Sequence, residues 1–374
     1  MTIEQLLDKI SEKNFSQEIS KLPQHILIYG AGAFGKEIYM LLKNHNRSVM
    51  GFIDRSAAKN QELFKVPVWS LENIPDSIID CSPVVVFAIV MDKTERLNVI
   101  NSIKQAGFSN VIEAQSLRCL MVEPADREIT CDLKTYYKQR WDKIEKTSKI
   151  FEDCMSEKLY WENVIAHMTK EYSGCITECP MQEQYFPENI GWGTHHYIVD
   201  CGAYIGDTAQ QLINKNGKLN RYIGIEPNLN NFIRLSNYCK TMSEQLGEVT
   251  LFPCGVSGQT LHTTFNTGTG SGCISENGDQ QISCVALDDI IQNQKIDLIK
   301  MDIEGAELDA LNSAKNMIAK YCPDLAICVY HNTNHIWDIP KLIDSWNLGY
   351  KFYLRCYNAF TMETVLYAKS NKRE

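Results

Sequence analysis

The chain lacks an excess of positive charge. Its 374 residues carry 37 Lys and Arg against 46 Asp and Glu, a net charge of −9. A phosphate backbone needs a basic face, so nucleic acid is excluded as a main partner. The one basic stretch, Lys134 to Lys149, is interleaved with Asp142 and Glu145 and reads as a solvated helix face. Long apolar runs are missing too. The longest, Pro83 to Met91, is too short to span a bilayer. Met1 to Asn14 is charged and has no apolar core of the kind a signal peptide needs. A cytoplasmic protein without a membrane span is the expectation. Cysteine is not lacking, but the 14 thiols fall mostly inside strand-like or helix-like runs, as at Cys201, Cys254, Cys284 and Cys328. Reduced core thiols explain that placement better than disulfides. A second Cys/His pair near Cys175 and Cys179 is absent, and His331 and His335 have no third ligand fixed beside them, so no metal is expected.

What is present is organised around Tyr197 to Thr208. An apolar run, Tyr197 to Val199, ends in Asp200. A loop with Gly202, Ala203 and Gly206 follows, and Thr208 to Ile213 reads as a helix. A strand, a Gly-containing turn and a helix N-terminus form a nucleotide-type site at the carboxyl end of a first strand. Twenty residues after Gly206 a second strand ends in Glu226, placed to accept hydrogen bonds from ribose hydroxyls.

The length favours two domains. Residues 1–20 read as an amphipathic helix with Ile3, Leu6, Leu7 and Ile10 on one face. Another strand-turn-helix unit follows: His25 to Tyr29, the loop Gly30-Ala-Gly32-Ala-Phe34-Gly35, then Lys36 to His45. The next strand closes on Asp54, nineteen residues after Gly35, which completes a dinucleotide-type fingerprint. Pro83 to Val90 is apolar enough to be buried in a parallel sheet. No hydride-transfer cluster accompanies the fingerprint, which argues against a nicotinamide-dependent oxidoreductase. Tyr39 and Lys43 match a dehydrogenase spacing, but they lie in the first helix, too early for that role. This unit, residues 21–118, resembles the Rossmann-like nucleotide-binding domains at the front of sugar-modifying enzymes such as sialic-acid-type acyltransferases. That resemblance implies a nucleotide or nucleotide-sugar ligand on Gly30, Gly32, Phe34, Gly35 and Asp54; the alternative is a vestigial domain without a ligand.

Residues 119–193 read as a helical connector, with Tyr137, Trp141, Ile144 and Phe151 as core or docking contacts. From residue 194 to 374 strands and helices alternate and finish in an antiparallel pair, Tyr350 to Tyr357 with Thr364 to Ala368. Thr260 to Phe265 and Gln281 to Val285 read as an inserted hairpin around the Gly/Ser stretch Thr267 to Gly272. The expected class is α/β, two Rossmann-like domains, the second a seven-stranded class I methyltransferase sheet.

Within this half, Val199-Asp-Cys-Gly-Ala-Tyr-Ile-Gly-Asp207, Ile225-Glu-Pro227, Leu287-Asp-Asp289, Lys300-Met-Asp-Ile-Glu-Gly-Ala-Glu307 and Tyr330-His331 occur in order. Together they resemble the FkbM family of S-adenosylmethionine-dependent methyltransferases. The resemblance implies O-methylation of a sugar or glycoconjugate acceptor. By position, Asp200, Gly202, Ala203, Tyr204, Gly206 and Asp207 would surround the methionine end of the cofactor, with Glu226 and Pro227 at the ribose. Gly255, Val256 and Ser257 would flank the adenine, and Asp302 would lie by the methyl group. Tyr204 stands where such loops carry Gly or Asn, residues that tolerate positive φ far better. His331 is the expected general base, with Asp302 and Glu304 beside it, because histidine's ordinary pKa of about 6.5 leaves it neutral in the cell. Glu307 is read as solvent-facing, and Arg355 is a candidate contact for an acidic substrate. The other reading is a nucleotide-binding regulator or scaffold whose methyltransferase half has lost turnover. The acidic residues at 200, 226 and 302 argue against it.

Overall fold

The computed structural model describes residues 3–10, 15–91, 93–118, 131–172, 178–266, 272–274, 278 and 280–373. Cys175 and the stretch from Thr267 to Ser271 lie outside the described residues.

The first sheet holds β1 (Ile26–Tyr29), β2 (Val49–Ile53), β3 (Glu62–Leu63), β4 (Val66–Trp69), β5 (Val84–Phe87) and β6 (Val111–Glu113). Their order is β3-β4-β2-β1-β5-β6, and every pair is parallel except β3 with β4. β1 and β5 are buried along their whole length, which explains why both read as unbroken apolar runs. β3 and β4 give no such signal: they are short, and Pro67 interrupts β4. The helix after β1 is Ala33–Asn44. Gly35 lies on it because an added Cβ would stand 1.9 Å from the Gly30 carbonyl oxygen.

Two helices follow. Asp132 caps Leu133–Ser148 by accepting from the Thr135 amide, and Asp153 caps Cys154–Thr169 by accepting from the Ser156 amide. Tyr137, Ile144 and Tyr160 from these helices share one core with Phe352, Leu354 and Trp337, so the pair is packed on the second sheet. The amphipathic reading of residues 1–20 divides into Ile3–Leu7 and Phe15–Lys21. Leu6 packs into the core of the second sheet and Ile19 into that of the first.

The C-terminal half begins with β7 (Tyr197–Cys201), β8 (Leu219–Ile225), β9 (Leu246–Phe252) and β10 (Gly255–Val256). It continues with β11 (Leu261–Asn266), β12 (Cys273–Ile274), β13 (Gln280–Val285), β14 (Leu298–Met301) and β15 (Asp324–Cys328), and ends with β16 (Lys351–Cys356) and β17 (Thr364–Lys369). Seven of these form a sheet ordered β16-β17-β15-β14-β7-β8-β9, with β17 antiparallel to its neighbours. That is the expected closing hairpin. The inserted hairpin is present as β11 against β13, extended by β10 and β12 into a small separate sheet. β7 and β14 are parallel neighbours at which strand order reverses, β8 and β9 lying to one side and β15 to the other, so their following loops diverge and leave a crevice at the carboxyl ends. Cys201, Cys254, Cys284 and Cys328 are buried free thiols. Among the described residues no helix is long and apolar enough to cross a membrane.

The two halves meet at a buried arginine. Arg96, on the helix Lys93–Gln105, pairs with Glu178 at 2.7 Å and reaches Asn358 in the loop between β16 and β17.

Candidate active site

The crevice between β7 and β14 is a cavity of about 280 Å³. Its floor is the loop after β7. Gly202 adopts φ +77, and a Cβ there would stand 1.9 Å from the Asp302 carbonyl oxygen. Only glycine lets the two strand ends approach this closely. Gly206, at φ +96, lies against the Tyr238 ring, where a Cβ would come within 2.5 Å. Tyr204 takes φ 46, so the loop turns as it would with Gly or Asn and holds the tyrosine in the left-handed region. Its ring stays 43% exposed at the cavity mouth.

Beneath the loop lies a buried ion pair that the motif encodes in register. Lys300 on β14 stands opposite Asp200 on β7. Its Nζ is 3.1 Å from Asp200 Oδ1 and donates to the Gly202 carbonyl at 2.7 Å. Burial lowers the Lys300 pKa, but Asp200 and then Asp302 outweigh it and keep the ammonium charged. Asp200 is fully buried, and its second oxygen accepts from the Tyr222 hydroxyl at 2.7 Å. It therefore acts on the cavity through Lys300 and the loop, without lining it. Ala203, Gly206 and Ser257 also lie outside the lining, whereas Gly202, Tyr204, Asp207, Glu226, Pro227, Gly255 and Val256 line it.

Glu226 ends β8 and is 6% exposed. Its carboxylate accepts from the Tyr204 amide at 2.9 Å and the Asn228 amide at 2.9 Å. Burial raises its pKa, against these hydrogen bonds. Each oxygen keeps lone-pair capacity toward the cavity.

The opposite wall carries the expected catalytic residues. Asp302 and Glu304 follow β14 and line the cavity, and Glu304 is held at φ 56. His331 follows the neighbouring β15, and its Nε2 is 3.4 Å from Asp302 Oδ1 and 3.5 Å from Glu304 Oε2. The fold thus brings all three together. It also corrects the protonation expected for His331. Burial lowers its pKa, but Glu307, then Glu304 and Asp302, raise it to about 10. A neutral imidazole ready to take a proton at pH 7 is not what this arrangement holds. Glu307 is corrected as well: it is fully buried and accepts from the Ile303 amide, with His331 Nδ1 at 2.8 Å and His335 Nδ1 at 3.2 Å. The two histidines share this carboxylate. Arg355 is 2% exposed, pairs with Asp153 at 2.7 Å and donates to Asn189. It does not line the cavity, and its guanidinium is taken up by Asp153 and Asn189.

The lining residues Tyr185, Gln184 and Glu363 went unnamed in the sequence reading. The Tyr185 hydroxyl donates to Asp302 Oδ2 at 3.1 Å. Behind the lining, Tyr330 reaches both Asp302 Oδ1, at 3.4 Å, and Glu363 Oε1, at 3.5 Å. Burial, then Asp302, holds both phenols protonated. Glu363 enters from the loop between β16 and β17, where Phe360, Thr361 and Glu363 all have positive φ. Gln184 donates to its Oε2 at 2.8 Å. Burial, and next Asp302, raises the Glu363 pKa to about 7. No local motif surrounds Glu363; the signal that could have found it is the end of a closing hairpin, which lies beside the site in this topology.

Five acidic residues line the cavity, Asp207, Glu226, Asp302, Glu304 and Glu363, with Lys300 as the one lining cation among the described residues. Such a field favours a cationic ligand.

The architecture has a counterpart among solved structures. A crystal structure of methyltransferase FkbM from Methylobacillus flagellatus KT superposes with a TM-score of 0.68 at 22% identity, covering 98% of each chain. That likeness shows the fold across both halves. A putative caffeoyl-CoA O-methyltransferase from Staphylococcus aureus gives a TM-score of 0.32 at 10% identity, over 47% of this chain and 77% of its own. An O-methyltransferase from Bacillus cereus in complex with SAH gives 0.33 at 11% identity, over 63% and 97%. Likenesses this low carry no argument. No curated protein matches the chain. The family model described as Methyltransferase FkbM domain matches residues 200–352, the span that runs from the buried Asp200 through Glu226, Asp302 and His331.

Proposed function

We propose that the chain transfers the methyl group of S-adenosylmethionine to a hydroxyl oxygen of a sugar or glycoconjugate. One observation carries this reading. The Gly202 loop, Glu226 and a group of carboxylates from the neighbouring strand ends line one acidic cavity at the sheet's switch point. The match of residues 200–352 to a methyltransferase domain supports it. The residues present fit the cofactor. Gly202 and Asp207 line the cavity where the methionine end would lie, Glu226 retains acceptors for ribose hydroxyls, and Ile225 and Val256 offer apolar surface to the adenine.

S-adenosylmethionine, when bound, supplies an electrophilic methyl group on a cationic sulfonium. The protein's part is to hold the acceptor oxygen in line and to remove its proton. Glu363 suits the second task better than His331. A base works best with a pKa near the operating pH, and Glu363 lies near 7 whereas His331 lies near 10. Glu363 would accept the proton of the acceptor hydroxyl as its oxygen takes up the methyl group supplied by the bound cofactor. Tyr185, Tyr330 and Gln184 hold Asp302 and Glu363 in place during the exchange. The N-terminal loop, Gly30 to Gly35, would bind a nucleotide or nucleotide-sugar and present the acceptor.

Labelled S-adenosylmethionine incubated with a panel of sugars and nucleotide-sugars tests the reading. Label should appear as a methyl ether on a hydroxyl. Binding of S-adenosylmethionine with no label on any acceptor would instead favour the regulator or scaffold.

A further inference from the structure

Asp302, Glu304 and His331 form a second constellation within the cavity wall. β14 and β15 are adjacent and parallel, so their carboxyl ends deliver these residues to one point. One ligand atom from each lies within 4.8 Å of the others. His331 is the telling member. Its side chain is 7% exposed, and Nε2 has no hydrogen-bond partner although two carboxylates face it. Nε2 stands nearly equidistant, at 3.4 and 3.5 Å, between Asp302 and Glu304. A cation bound there would displace the proton that these carboxylates keep on the ring. Its other nitrogen, Nδ1, is held at 2.8 Å by Glu307, a carboxylate with no exposure of its own. A carboxylate behind one ring nitrogen orients the imidazole and directs the lone pair of the other toward a metal.

We propose that Asp302, Glu304 and His331 bind one divalent cation at the cavity wall, with Glu307 as the positioning residue behind His331. Two carboxylates and one imidazole form a mixed oxygen and nitrogen set, which suits Mn2+ better than Mg2+. Three protein ligands leave coordination positions open, and Asp302 and Glu304 line the cavity, so those positions face it. The cation's role there, to hold the acceptor oxygen and ease loss of its proton, rests on the methyl-transfer reading. The binding site itself does not. In the sequence no third ligand is fixed beside His331 and His335. The fold supplies two ligands from another strand and turns His335 to Glu307 instead.

The test titrates Mn2+ into the full chain after chelator stripping, following free Mn2+ by electron paramagnetic resonance. Saturable binding of one ion per chain is expected. Glu304→Gln, at a partly exposed position, should weaken it tenfold or more, and Glu307→Gln by roughly 10–100-fold. Absence of saturable binding in the wild type, or wild-type binding in a folded Glu304→Gln, overturns the proposal. S-adenosylmethionine binding to the stripped chain is measured in parallel. Cofactor binding without Mn2+ binding sinks the cation site alone, and Mn2+ binding without methyl transfer to any acceptor sinks the functional reading alone.

Discussion

The chain builds the same device twice. After β1, the Ala31 amide donates to Asp54 at 2.8 Å; after β7, the Tyr204 amide donates to Glu226 at 2.9 Å. In each case the acid that ends the second strand ties down the Gly-containing loop that ends the first. The two acids nonetheless shift in opposite directions. Burial pushes Asp54 up, but the Ser56 hydroxyl and the Ala31 and Ser56 amides outweigh it and hold the carboxyl below its usual value. Glu226 is more deeply enclosed, and there burial wins and raises the pKa. The neighbouring strand differs too. Beside the first loop, Gly30 is closed in by the Ala88 carbonyl and the Ile89 side chain, each 2.8 Å from where its Cβ would be. Beside the second stand Lys300, Asp302 and Glu304. A shared loop geometry can tether a ligand, but the chemistry comes from whatever the next strand places against it.

The sharpest test of that contrast removes chemistry and leaves binding. Glu363→Gln should cut turnover by about 10²–10⁴, the usual worth of a positioned base. The wild-type rate should climb with pH through about 7, and the variant should lose that limb while S-adenosylmethionine affinity holds. A rate-pH profile with the acidic limb intact in the variant would return the role to the other carboxylates.

A smaller effect compares the two loop acids directly. A hydrogen bond to a charged group is worth about 1.5–3 kcal/mol. Glu226→Gln should therefore weaken S-adenosylmethionine binding by roughly tenfold or more in calorimetry. Asp54→Asn should leave that affinity unchanged. Equal losses from both substitutions would mean that the halves are not separate sites.

The smallest effect is a slope. The folded-state pKa of His331 is raised from 6.5 to about 10, so its stabilisation is fully present below 6.5 and is lost as pH rises through about 10. Glu307 is lowered from 4.5: burial opposes the shift, and His331 leads the groups that produce it. Its stabilisation is present above 4.5 and is lost as pH falls. Both describe one contact, which is strongest between about pH 4.5 and 6.5. The thermal midpoint should decline from pH 6.5 toward 10, and His331→Asn should flatten that decline. An unchanged slope in the variant would show that the His331 cluster does not contribute.

Local periodicity made most of the fold legible. β1 and β5 are continuous apolar runs and β7, β8, β14 and β15 are mostly apolar ones, and such runs announce buried parallel strands without help from the rest of the chain. Spacing likewise pointed to Glu226 and Asp54 as the acids closing each second strand. It could not reach β3 and β4, which are too short to show a period, nor the burial of Glu307 and Arg355. Both side chains are charged, and only their packed surroundings show that neither faces solvent.

The sequence by itself thus determined the succession of the main strands along the chain, the two Gly-containing loops and the residue types at the strand ends. These are properties of neighbours along the chain, set by backbone conformation and by the alternation of apolar and polar residues. Tertiary structure decided which of those ends meet. It placed Glu363 from the closing hairpin against Asp302, set His331 among Glu307, Asp302 and Glu304, and drew Lys300 under the Gly202 loop. Protonation follows from those meetings, because a pKa depends on burial and on charges a few ångströms away, however distant they are in sequence.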